Sequence, residues 1–400
     1  MTELKRSITL PLLTLYGLGT IIGAGIFVLI GKVAGEAGIY APISFLVASV
    51  IAGFTAFSYA ELSSRFPKSA GEAVYLEETF HLRWLSKGTG ITIVVIGIIS
   101  SATIANGSIG YLQIFFDLPA WVLMVILITA LTILAGWGIS ESVTVAAVTT
   151  SIALIGLIAV VLFNTESLST LPDRLPELIP PPETAIWSAI AFGAFLAFYA
   201  FIGFEDMINI AEEVKDPRRN MPASIIIALV ITTIFYVLIA LTAVLTMSVE
   251  QLSASDAPLA DLISSDHTKS RLMIAAVSVI AVIDGALIQI IKSSRVLYGM
   301  SRQGMLSATF GQVHPISRTP LIATVTVAVL VLITALSLPL LTLAKITSFI
   351  TLILFAVINL ALWKLKLKYP RDPEAGINVP IWVPICGFLL CTLFVSLQFL

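Results

Sequence analysis

Charge is what this sequence has least of. Only 12% of its 400 residues are Asp, Glu, Lys or Arg, about half the share typical of a soluble domain. Cysteine is nearly absent. Cys386 and Cys391 both fall inside the last apolar run, which excludes a disulfide framework and leaves them as small packing residues. The three histidines, His81, His267 and His314, are scattered, so no metal-binding constellation is expected. No nucleophile–base pair is visible, which argues against an enzyme. What replaces charge is apolar surface: 58% of residues are hydrophobic and mean hydropathy is +1.02. An integral membrane protein is the class that fits, with the lipid bilayer as its solvent and no nucleic-acid partner.

Spanning a bilayer takes about 20 largely apolar residues per helix. Eleven such stretches are expected, near 8–31, 41–66, 91–115, 120–137, 142–163, 185–211, 223–247, 273–300, 321–338, 343–363 and 381–399. Connections are short, so residues 1–400 read as one membrane domain. The first span is too long for a cleaved signal peptide and runs on into a second. Basic residues set the orientation. Lys5 and Arg6 precede the first span, Arg65, Lys68, Arg83 and Lys87 follow the second, and Lys215, Arg218 and Arg219 follow the sixth. Arg295, Arg302 and Arg318 lie at or beyond the end of the eighth, and Lys364, Lys366, Lys368 and Arg371 follow the tenth. The positive-inside rule then places the N-terminus in the cytoplasm of a multi-pass protein of the inner (cytoplasmic) membrane. Eleven spans would leave the C-terminus outside, with a twelfth absent or cut off after Leu400.

The first span contains "TIIGAGIFVLIG", with Gly23 and Gly25 in its middle, where each glycine costs about 1 kcal/mol relative to alanine. A nucleotide loop is excluded, because no Lys-Ser/Thr follows. Two readings remain: close helix–helix packing, or an unwound segment. The sixth span has a matching interruption at "FYAFIGFED", Phe198 to Asp206. These spans are five apart, an odd number, so the second half is inverted relative to the first. Paired interruptions at corresponding places in two halves point to a transporter's substrate site. Backbone that leaves the helix inside a membrane must line a cavity or be buried in protein. Amides at the start of a half-helix attract a carboxylate, and carbonyls at the end of the preceding half attract an ammonium group. Such a pair suits a zwitterion.

These segments resemble the amino acid–polyamine–organocation transporters. The similarity lies in "LPLLTLYGLGTIIGAGIFVLIG", "AELSSRFPKSAGEAVYL", "FYAFIGFEDMINIAEEVKDPRRNMPASI" and "SSRVLYGMSRQGMLSATFGQVHPISRTPLIA". The resemblance implies an all-α, LeuT-like five-plus-five inverted repeat with discontinuous helices 1 and 6. The first repeat would cover about 8–163, the second about 185–363, with an extra C-terminal helix at about 381–399. It also implies secondary transport of amino acids by alternating access, with no bound cofactor beyond a coupling Na+ or H+. By position, backbone at Ile22, Gly23, Ala24 and Gly25 would hold the substrate carboxylate. The carbonyls of Thr20 or Ile21, with those of Tyr199, Ala200 and Ile202, would hold the amino group. Tyr199 and Phe201 are the aromatics expected at the site, while Phe198 and Phe204 fit packing equally well. Ser101 and Ala105 on helix 3 and Gln289 on helix 8 would face the substrate side chain.

Ionisable groups inside a membrane are costly, so each is a functional hypothesis. Glu205 and Asp206 adjoin the helix 6 interruption. The resemblance gives Glu205 a gating or proton-coupling role; a hydrogen bond to unwound backbone is the alternative. Asp284 and Lys292 stand on helix 8, eight residues apart, or about 12 Å, too far to pair directly. Asp284 is expected to carry a proton, ligate a cation or face a basic substrate. Lys292 is expected to snorkel toward the cytoplasm beside Arg295. Glu61, Glu141, Glu212, Glu213 and Asp216 read as a solvated cluster or as gate salt bridges. Two positions depart from the family pattern. Ala153 stands where many bacterial relatives carry a lysine that fills a cation position, and Ser307 stands where proline is usual. The first departure leaves three routes: another proton carrier such as Asp284 or Glu205, a sodium ion, or uncoupled exchange. Thr149, Thr150 and Ser151 add hydroxyls nearby, or simply satisfy helix carbonyls. An amine or polyamine transporter is the alternative function, with Asp284 its one acidic candidate.

Overall fold

The computed structural model describes residues 6–68, 71–137, 143–264, 267–315 and 317–399. Lys5, Glu141, Ser142 and Leu400 lie outside the described residues. The chain is all-α. Among the described residues the only strand-like pairing is a single parallel bridge between Ile8 and Val214. That is what lipid permits, because a helix satisfies its own backbone and an open sheet edge does not. Among the described residues, nine stretches are long and apolar enough to cross a membrane, one of them running from Gly25 to Arg65 across two helices. Leu10–Ile21 and Leu321–Ser337 are shorter apolar helices.

The main helices are α1 (Leu10–Ile21), α2 (Ala24–Ala37), α3 (Ala41–Arg65), α4 (Gly71–Phe80), α5 (Arg83–Gln113), α6 (Ala120–Trp137) and α7 (Val143–Phe163). They are followed by α8 (Thr184–Phe198), α9 (Pro217–Thr246), α10 (Thr268–Arg302), α11 (Leu321–Ser337), α12 (Leu340–Lys368) and α13 (Trp382–Ser396). Proline marks several boundaries. Pro11 and Pro217 sit in the first turns of α1 and α9, where a missing N–H costs nothing. Pro67 stands just past the end of α3, and the residue before a proline disfavours the helical region.

Two spans are discontinuous. The first breaks at Ile22 and Gly23, between α1 and α2. The sixth consists of α8, a 3-10 turn Tyr199–Phe201, a break at Ile202 and Gly203, and a 3-10 helix Phe204–Glu213. Helix α1 packs on α7 and α9, α2 on α8, α3 on α9 and α8, and α5 most extensively on α10. The broken spans therefore lie side by side in the protein interior. Their outer ends are also tied: Ser7 and Ile8 donate to the Glu213 carbonyl at 2.9 and 3.0 Å, and Lys215 N–H donates to the Ile8 carbonyl at 2.9 Å.

The expected solvated cluster at Glu61 is corrected. Its side chain is fully buried and paired with Arg65 at 2.6 Å and Lys366 at 2.8 Å. Its second oxygen accepts from Val379 N–H at 2.8 Å. Ser64 adds to this knot by donating to the Arg218 carbonyl and accepting from Gly376 N–H, both at 2.6 Å. The connection between α12 and α13 is thereby fastened onto the ends of α3 and α9. Burial forces this arrangement, since an unpaired charge there would be destabilising by several kcal/mol, roughly 3–5. Glu212 and Asp216 are exposed.

Candidate functional site

The breaks meet each other. A Cβ at Gly25 would overlap Cα and Cβ of Ala200, and a Cβ at Gly203 would overlap the Thr20 carbonyl. Gly203 also has φ +130°, which a side chain rarely allows. Glycine at these two positions lets one broken backbone touch the other. Of the two readings of the first span, the structure shows both: an interruption at Gly23 and close packing at Gly25.

The loosened peptide groups are partly claimed. Tyr236, on α9, places its hydroxyl 2.9 Å from both the Ile21 and the Ala200 carbonyls. One O–H therefore joins the ends of both first half-helices. Its ring packs edge-on against Phe201 at 5.1 Å and Phe45 at 5.8 Å. Glu205 accepts from Gly203 N–H at 2.8 Å, a hydrogen bond to the unwound backbone. At the start of α2 the first-turn amides have no intrahelical acceptor, and the first helical bond there is Phe27 N–H to the Gly23 carbonyl at 3.3 Å.

Between the broken spans, α5 and α10 lies a cavity of about 30 Å³. Gly19, Thr20, Ile21, Gly23 and Gly25 line it from the first span, and Tyr199 and Ile202 from the sixth. Ser100 and Ile104 of α5 and Gly285, Ile288 and Gln289 of α10 complete it. The Tyr199 and Ser100 hydroxyls are 3.1 Å apart, so the Tyr199 ring is held against α5. Of the residues expected at the site, Thr20, Ile21, Gly23, Gly25, Tyr199, Ile202 and Gln289 are brought together in the lining of this cavity.

Other expected residues stand elsewhere. Ser101 turns away from the cavity and donates to the Ala286 carbonyl at 3.4 Å, and Ala105 is buried outside the lining. The α5 face is one residue earlier, at Ser100 and Ile104. Ile22 is buried beside the break, Ala200 packs on Gly25 and Phe201 on Tyr236; none of the three lines the cavity. Ala24 contributes the first residue of α2. Phe198 and Phe204 join Tyr59 and Phe355 in an aromatic cluster, with centroid separations from 5.2 to 5.8 Å.

The charged groups form two sets. Asp284 is half-buried and accepts from Thr149 Oγ1 at 2.9 Å. Thr150 donates to the Ala146 carbonyl at 2.6 Å and Ser151 to the Ala147 carbonyl at 2.7 Å. Ala153 is buried and apolar; three residues earlier, the Thr150 hydroxyl lies against Gly19. The second set corrects the reading of Lys292. It does not snorkel. Its side chain is only 13% exposed and pairs with Asp206 at 2.5 Å. Gln289, one turn away on α10, donates from Nε2 to the other Asp206 oxygen at 3.0 Å. Sequence inspection weighed Lys292 against Asp284 on its own helix; the partner is on the sixth span, after its break. Tyr236 was missed altogether, because an isolated tyrosine in an apolar run carries no signal.

The sequence pattern of the amino acid permease family matches residues 8–400. A branched-chain amino acid permease of Bacillus subtilis is 29% identical over 97% of this chain and 87% of its own length. A methylthioribose transporter of the same organism is 30% identical over 98% of this chain and 88% of its own. The mitochondrial cationic amino acid transporter 3 of Arabidopsis thaliana is 28% identical over 92% of this chain, which spans 64% of that relative. With two broken helices meeting at an interior cavity and this match over nearly its whole length, the chain is a multi-pass membrane transporter, not an enzyme, and belongs to the amino acid permease family.

Proposed function

We propose that this protein is a secondary active transporter that moves amino acids across the cytoplasmic membrane by alternating access, driven by a proton or sodium gradient. The observation that carries the reading is the meeting of two helix breaks at one small cavity, with peptide groups from both spans in its walls. The first-turn amides of α2, with the dipole behind them, suit a carboxylate. The carbonyls at the ends of α1 and α8 suit an ammonium group. The walls stand closer together than an amino acid needs, so binding requires them to part. Parting on one side at a time is alternating access. Asp206, in the helix 6 segment after the break, is bonded to Gln289 and Lys292 of α10. In this reading these bonds to α10 must break when the cavity opens toward the N-terminal, cytoplasmic side.

An amine or polyamine substrate is disfavoured by the lining. Among the described residues that form the cavity wall none is acidic, so a second ammonium group would be buried without an anion. Coupling is assigned to Asp284, which lies on α10 one turn from Ala281, whose carbonyl would stand 4.0 Å from a Cβ placed at Gly23. The test is uptake into proteoliposomes with a proton or a sodium gradient imposed separately. One gradient should drive accumulation, and Asp284→Asn should weaken it more than it weakens exchange. Equal loss of both activities would make Asp284 structural. Exchange of labelled for unlabelled amino acid, with accumulation under neither gradient, would make the protein an uncoupled exchanger.

A further inference from the structure

Among the described residues that line the cavity, one carries a buried side-chain polar atom with no partner. Gln289 is 6% exposed and lines the cavity, and its Oε1 is buried without a hydrogen bond among the described residues. The orientation of this amide is fixed by chemistry. Asp206 can only accept, and its Oδ1 is taken by Lys292 at 2.5 Å. Its Oδ2 must therefore face the Gln289 NH2, which donates at 3.0 Å. The carbonyl oxygen is left on the other side of the amide as a fixed acceptor. The remaining hydroxyls in the wall are already used: Ser100 and Tyr199 bond each other, and Thr20 donates to the Gly17 carbonyl.

We propose, on the reading that this cavity holds an amino acid, that Gln289 Oε1 selects neutral substrates whose side chain carries a hydroxyl. A buried acceptor left unpaired is costly, whereas a substrate hydroxyl satisfies it. Charge narrows the class. Lys292 neutralises Asp206, so a cationic side chain finds no free anion. An anionic side chain meets the negative end of the Gln289 amide. The rest of the wall on this side is apolar, formed by Ile104, Ile202 and Ile288, so Gln289 is the one side-chain acceptor among them that a substrate hydroxyl can meet. Asp206 and Lys292 act as positioning residues, because they hold the amide and touch no substrate.

Threonine and valine have the same shape and differ by one hydroxyl, as do serine and alanine by the addition of one. The purified full-length protein is titrated with each of the four, and thermal stabilisation gives their apparent affinities. Threonine should bind about tenfold tighter than valine, and serine about tenfold tighter than alanine. In Gln289→Leu, checked for folding by gel filtration, the threonine-to-valine ratio should fall to about one or invert. If amino acids stabilise the unmutated protein but valine matches or exceeds threonine, the hydroxyl assignment is overturned while the amino acid site stands. If a folded Gln289→Leu keeps the unmutated ratio, Gln289 is not the selector. If no amino acid of a full panel stabilises the protein or exchanges across proteoliposomes, the amino acid site itself fails, and this inference with it.

Discussion

Lys292 and Asp206 show how a single residue's meaning depends on the helix packed against it. On its own helix Lys292 has no acid within reach, and a long amphipathic side chain near a helix end ordinarily snorkels. On the sixth span it meets Asp206 at 2.5 Å, with both side chains largely buried. A buried pair gains little over an apolar substitute, but breaking it by removing one partner is costly. Lys292→Met should therefore destabilise the protein by roughly 3–5 kcal/mol, measured as a loss of thermal stability in detergent. Adding Asp206→Asn to it should recover much of that loss, because the stranded carboxylate is gone. A double variant no more stable than Lys292→Met would show that the pair is not what holds α10 to the sixth span. Tyr236 acts at the same scale, joining two half-helix ends through one hydroxyl.

At the scale of elements, the breaks in the first and sixth spans are maintained by glycine where backbones touch. Gly25 has no room for a Cβ because Ala200 occupies it. Gly25→Val should abolish uptake while the protein still inserts, since the other helices are unchanged; normal uptake would separate the site from this contact. Helix α4 contributes a different property. Glu72 is buried there, accepting from the Tyr59 hydroxyl at 3.2 Å. Burial is the main cause that raises its pKa from the ordinary 4.5 to about 7; nearby Lys292 lowers it and Asp206 raises it. The folded protein thus holds this proton more tightly than the unfolded chain. Its contribution to stability is complete below the ordinary value and is lost as pH rises through about 7. Thermal stability of the unmutated protein should fall across that window, and Glu72→Gln should flatten the dependence. An unchanged slope in Glu72→Gln would assign the titration to another group.

For the whole molecule, what the sequence made legible was set by chemistry that is local. Gly23, Gly25 and Gly203 announce the breaks because glycine in an apolar helix has a cost that only a special backbone or a close contact offsets. Tyr199 and Gln289 were placed by resemblance. The face of α5 was not legible, because residues from Val94 to Tyr111 are mostly buried. With polar and apolar positions alike inside, periodicity no longer marks a side, and Ser101 and Ala105 were chosen one residue past Ser100 and Ile104. Glu61 with Lys366, and Asp206 with Lys292, were hidden for another reason. Each pair joins helices far apart in sequence, and only the packed bundle brings them together.

The central claim is that two interrupted helices hold the two ends of an amino acid with bare peptide groups. Binding of an amino acid, its methyl ester and its N-acetyl derivative to the purified protein, each read by thermal stabilisation, tests it most directly. The account predicts that the free amino acid stabilises the protein and that blocking either end removes the effect. Equal stabilisation by the ester or the N-acetyl form would contradict it.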